Sequence, residues 1–109
     1  MRQNGIAAAL LFLALSACAT APEPSGLMLV PGPGGLGVTG SGGREISFGR
    51  DRIGALQSVA KVTGRTPVPA ACGAGRDAFD AGDGLRLIFE GKTFVGWTGP
   101  SGAAGRNCH

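Results

Sequence analysis

The chain is 109 residues long, with 21 Gly, 7 Pro, one His, no Tyr and only 16% charged residues. That length holds at most one small domain and is too short for a doubly wound nucleotide-binding fold or a barrel enzyme. The formal net charge of +3 comes from cations spread along the chain and interleaved with acids, without a basic stripe or basic-aromatic alternation, so nucleic acid is not an expected partner.

The chain opens Met1-Arg2-Gln3-Asn4-Gly5 and continues from Ile6 to Ala17 with twelve residues that carry no charge. Crossing the hydrocarbon core takes about 20 helical residues, so this stretch is too short to span and fits the apolar core of an export signal. Its end reads in two ways. Ala17-Cys18-Ala19 fits the small-x-small pattern of an ordinary cleavage site. Leu15-Ser16-Ala17-Cys18 resembles the lipobox of bacterial lipoproteins: Leu, a small residue, Ala, then the cysteine. The four-residue match favours the second reading.

That resemblance covers the first eighteen residues and implies that residues 1–17 are a signal peptide and that Cys18 is the first mature residue. Its thiol would carry a diacylglycerol and its new amino group a further acyl chain such as palmitate. Two or three chains hold a protein on a bilayer where one binds reversibly, because each buried CH₂ contributes about 0.8 kcal/mol. Membrane lipid is then a partner through acylated Cys18, and the expected location is the cell envelope. Ala19 stands where, in the enterobacterial sorting pattern, Asp would favour the inner membrane, so an outer membrane facing the periplasm is expected in an organism that has one.

Removing residues 1–17 leaves nine Lys and Arg against seven Asp and Glu, a nearly neutral domain. Residues 18–43 read as a lipidated start and a disordered Gly/Pro-rich tether, broken only by Leu27-Met28-Leu29-Val30. Seven of the thirteen residues from Pro31 to Gly43 are Gly, and glycine entropy with two prolines opposes a helix or a long strand. Gly32-Pro33-Gly34-Gly35-Leu36-Gly37 fits the dinucleotide-loop pattern, but no amphipathic helix follows it. Gly91-Lys92-Thr93 resembles the end of a phosphate loop, yet Arg86 stands where its first Gly belongs; it reads as a turn.

A small α+β domain is expected over 44–98, built as strand, helix and β-hairpin. Glu45-Ile46-Ser47-Phe48 alternates at strand period, and Asp51 is placed to cap a helix whose stripe is Ile53, Leu56, Val59, Ala60 and Thr63. Gly64 ends that helix, and Pro67 and Pro69 keep it ended. After a loop through Cys72, Leu85-Arg86-Leu87-Ile88-Phe89 and Thr93-Phe94-Val95-Gly96-Trp97 read as two strands joined at Glu90-Gly91-Lys92, with Asp83-Gly84 as the turn leading into the first. Residues 99–109 form a polar tail.

Fifteen large apolar side chains in 44–98 make a thin core for a domain of this size. With Cys18 lipidated, Cys72 and Cys108 remain as an even pair in an oxidising compartment, so a disulfide is expected, with two free thiols or a loose tail as the alternatives. The bond would close a 36-position separation, worth about 4 kcal/mol by chain entropy, and draw the tail back onto the domain.

No cofactor, metal site or catalytic group is expected. Cys108 and His109 are adjacent, unlike the spacing that closes a zinc tetrahedron, and His109 ends the chain with nothing to orient it as a base. Asp77, Asp80 and Asp83 lack the alternate spacing and closing Glu of a calcium loop. The candidates for partner binding are therefore Phe94 and Trp97, on a last strand that would be a sheet edge open to strand addition, and Asp77 and Asp80, on the loop from Cys72 to Gly84. A lone Trp in so small a domain is more often core. The expected function is a non-enzymatic, membrane-anchored binding or scaffold module with an unknown envelope protein as partner. The alternative is a small periplasmic inhibitor or immunity-type lipoprotein that blocks a hydrolase with a charged plug on that loop.

Overall fold

The computed structural model describes residues 26–109, and the expected signal peptide and Cys18 lie outside them. The described residues are mostly β, not a balanced α+β arrangement: eight strands in two antiparallel sheets with a single short helix. The strands are β1 (Met28–Gly32), β2 (Gly35–Thr39), β3 (Glu45–Ser47), β4 (Val68–Ala70), β5 (Asp77–Gly82), β6 (Leu85–Glu90), β7 (Thr93–Gly99) and β8 (Gly102–Gly105); the helix, α1, is Arg52–Thr63 and lies between β3 and β4. Sheet order is β1-β2-β3 in one and β4-β5-β6-β7-β8 in the other, each a meander.

The correction is largest at the expected tether, where β1 and β2 pair in full register from Met28↔Thr39 to Gly32↔Gly35. Gly-rich strands lose more entropy on ordering than others, and that cost is met here by burial. Leu36 is fully buried and Val38 nearly so, with Leu27 and Leu29 packed against the same core. Gly35 sits at φ +144°, and a Cβ there would overlap the Ile46 carbonyl, so glycine is what lets β2 approach β3. The dinucleotide-like glycine pattern is this hairpin: Gly32 closes β1, Pro33-Gly34 turn, and Gly35 opens β2.

The two sheets meet behind β3. Gly49 N donates to Phe94 O at 2.8 Å, Phe94 N to Arg50 O at 2.9 Å and Arg52 N to Lys92 O at 2.7 Å, so the chain entering α1 runs along the start of β7. Asp51 caps the helix as expected, accepting from Gly54 N at 3.0 Å, and Gly64 ends it in the left-handed conformation, its N–H bonded to Ala60 O. Ala55 and Val59 carry the buried stripe, with Leu56 and Val62 partly buried beside them. Ile53, expected on that stripe, is 65% exposed.

The main core lies between α1 and the sheets, where Leu87, Phe89, Phe94 and Trp97 face Val59, Leu36 and Ile46. Phe48, Phe94, Phe89 and Phe79 form a chain of tilted and edge-to-face rings, with centroids 5.2, 5.5 and 5.7 Å apart. Trp97 Nε1 donates to Gly32 O at 2.8 Å and so fastens the β1–β2 turn to β7. A second, smaller cluster covers the opposite face of the five-stranded sheet, where Ala78, Ile88 and Cys108 are buried with Cys72 and Val95 alongside. That second cover explains why Ile88 is fully buried although its neighbours Leu87 and Phe89 face the other way.

Candidate functional site

The expected cysteine pair is present. Cys72 and Cys108 are disulfide-bonded, with Cα atoms 4.8 Å apart. The tail is not a loose polar appendage: Gly102–Gly105 is the edge strand β8, and residues beyond it cross the outer face of the sheet. Arg106 N donates to Val95 O at 2.9 Å, Gly73 N to Cys108 O at 3.1 Å and Arg76 Nη1 to Asn107 O at 2.9 Å. The crossing is close enough that a Cβ at Gly96 would overlap the Arg106 carbonyl. With both thiols in a disulfide, neither is a metal ligand, and among the described residues no group of three His, Cys, Asp or Glu is placed to hold an ion.

Of the residues singled out for partner binding, Phe94 is 1% exposed and Trp97 5%, so neither is a surface anchor. The reason is β8. It pairs with β7 from Gly96↔Gly105 to Gly99↔Gly102, so the strand carrying Trp97 is not a sheet edge, and both rings turn inward. Asp77 and Asp80 do not share a loop either. Both lie on β5, an inner strand between β4 and β6, and their three-residue separation puts them on opposite faces of it.

Each of these acids has an arginine. Asp77 Oδ2 accepts from Arg52 Nη1 at 2.9 Å, and the same guanidinium lies 5.1 Å from the Phe79 ring centroid and 5.6 Å from that of Phe89, closing one end of the core. Asp80 Oδ1 accepts from Arg86 Nε at 3.0 Å, directly across the β5–β6 pair. Arg76 bonds Glu90 at 3.0 Å on the same outer face. These pairs hold a solvated sheet surface in place and leave neither Asp projecting as a plug.

A substantial concavity lies elsewhere, at the far end of α1. It is an open cleft of about 910 Å³ between β1, the last turn of α1, the β5–β6 turn and the β7–β8 turn. Its apolar surface comes from Leu27, Leu29, Val62, Ala81, Leu85 and Pro100, and its polar rim from Lys61, Arg65 and Asp83. The left-handed Gly64 turns the chain off the helix, and Thr63 Oγ1, itself donating to Val59 O at 3.0 Å, accepts from Arg65 N at 3.2 Å and fixes that turn. The Arg65 guanidinium then lies over Gly82, where a Cβ would collide with it, and makes a 3.5 Å ion pair with Asp83. Asp83 and Gly84 both take positive φ, 54° and 80°, as a two-residue hairpin turn requires. Met28, 67% exposed, adds an apolar side chain to the lining.

Little in the sequence marks this site. Leu27-Met28-Leu29-Val30 is its one visible signal, an apolar run inside an otherwise Gly- and Pro-rich stretch. Lys61 and Arg65 read only as two cations among several, because what brings them to β1 is a long-range pairing. No protein-family model matches the chain, and comparisons with curated proteins and with solved structures give no match.

Proposed function

We propose that the protein is a lipid-anchored lipoprotein of the bacterial envelope, and that its β-rich domain acts as a binding or scaffold module without catalytic activity. The observation that carries this reading is the Cys72–Cys108 bond. The chain has three cysteines, and the bond accounts for two of them, in keeping with an oxidising compartment. The third, Cys18, ends the uncharged run from Ile6 in the Leu15-Ser16-Ala17-Cys18 pattern. In this reading acyl chains on Cys18 attach the protein to the membrane; among the described residues no helix is long and apolar enough to cross one.

The inhibitor alternative loses its specific support, because the acids that would form its plug are paired on opposite faces of β5.

The test is fractionation of the host after replacing the anchor residue. Wild-type protein is expected in the membrane fraction, extracted by detergent and not by salt or alkali, and Cys18→Ser is expected to leave that fraction or to remain uncut. Membrane retention of Cys18→Ser equal to wild type would contradict the reading.

A further inference from the structure

We infer that the cleft at the end of α1 is a docking surface for an anionic phospholipid bilayer, which seats the domain against the membrane that anchors it. The inference rests on acylation of Cys18 and adds an orientation to it. Gly26 and Leu27 line the cleft. Only seven residues separate Cys18 from Gly26, and the eight Cα–Cα steps between them reach at most about 29 Å. The cleft therefore lies at the tethered end of the domain, with the membrane surface inside that radius.

Its chemistry fits that surface. An interfacial binder combines exposed apolar side chains, which enter the boundary between headgroups and acyl chains, with cations that meet lipid phosphates. Here Met28 is exposed beside Leu27 and Pro100, flanked by Lys61 and Arg65. Asp83 is the one acid in the lining, so the rim carries a net single positive charge. A cation near an anionic leaflet gains about fivefold in occupancy, and the short tether converts that modest preference into a defined pose by keeping the local lipid concentration high. The opposite end of α1 also exposes Ile53 but lies outside this cleft. There Arg52 is spent on Asp77 and the carbonyl of Gly91.

The two lysines of the chain give a built-in readout, because both are exposed and they mark opposite ends of α1. Lys61 is on the cleft rim, whereas the Lys92 carbonyl accepts from Arg52 N at the start of the helix, nine residues or about 14 Å away along the axis. The chain from residue 18 is coupled through the Cys18 thiol, free when the other two cysteines are bonded, to a maleimide lipid in two kinds of vesicle. One is phosphatidylcholine alone and the other is equal parts phosphatidylcholine and phosphatidylglycerol. A water-soluble acetylating reagent then reports each lysine by mass. On the anionic vesicles Lys61 is expected to react about fivefold more slowly relative to Lys92 than on phosphatidylcholine, and Arg65→Glu is expected to remove the difference. A Lys61 to Lys92 ratio that is the same on both vesicles, whether high or low, would overturn the inference. Because the maleimide lipid supplies the tether, that outcome is independent of whether the cell acylates Cys18, which fractionation of the host decides.

Discussion

Removing the Cys72–Cys108 bond is the perturbation with the largest expected effect on this domain. The bond joins positions 36 residues apart, and the loop it closes contains all of β5, β6, β7 and β8, so its loss frees the unfolded chain across most of the larger sheet. The chain-entropy relation gives about 4 kcal/mol for a loop of this size, comparable to the whole net stability expected of a core this small. Unfolding entropy of about 2.1 cal/mol/K per residue over the folded part converts this to a fall in Tm of roughly 20 °C. The assay is urea denaturation and thermal melting of the oxidised protein, the reduced protein and Cys72→Ala/Cys108→Ala, followed by circular dichroism. The reduced and doubly substituted forms are expected to melt together, far below the oxidised form. A fall of only a few degrees, with loss of order confined to residues after Gly105, would refute the reasoning, since it would mean that the bond pins the tail without constraining the sheet.

Three smaller effects follow from the packing. Trp97→Phe removes the donor to Gly32 O and leaves a small void, and is expected to cost about 1–3 kcal/mol in urea denaturation; an unchanged midpoint would show that the indole bond does not hold the β1–β2 turn to β7. Asp51→Ala takes away the acceptor for Gly54 N and should cost about 1 kcal/mol, with Asp51→Ser recovering most of it. Gly96→Ala places a methyl group against the Arg106 carbonyl, so the tail is expected to shift off the sheet and disulfide formation on refolding to slow, read as free thiol remaining against time; wild-type kinetics would contradict the close crossing.

The elements legible in the sequence are those whose pattern is local. Asp51, the apolar spacing and Gly64 mark α1 at both ends, and the turns at Asp83-Gly84 and Gly91-Lys92 set β6 and β7. What stayed hidden is made of residues that carry little pattern. Strand β8 is Gly102-Ala103-Ala104-Gly105, and only its pairing with β7 makes it a strand. Strand β5 holds two aspartates, residue types depleted in strands, and is tolerated because Arg52 and Arg86 meet them across the structure. Strands β1 and β2 are Gly- and Pro-rich, so composition argues for a tether while burial of Leu36 and Val38 decides for a hairpin. Strand β4 contains Pro69, which ends a helix and is equally acceptable on a sheet edge.

These omissions also account for where the partner candidates fall in the fold. With β8 unseen, β7 looks like an edge and Trp97 like an anchor; with β5 unseen, Asp77 and Asp80 look like neighbours on one loop. The cysteine pairing fared better because it rests on parity and compartment, which need no knowledge of the fold.

Intact mass of the protein recovered from membranes of its host, measured before and after reduction, decides whether Cys18 is the acylated anchor. A lipoprotein anchored there is expected as a chain beginning at Cys18, heavier than its sequence by a diacylglycerol with or without a further acyl chain, that gains the mass of two hydrogens on reduction. A soluble chain cut elsewhere, or one in which Cys18 is unmodified, would contradict it.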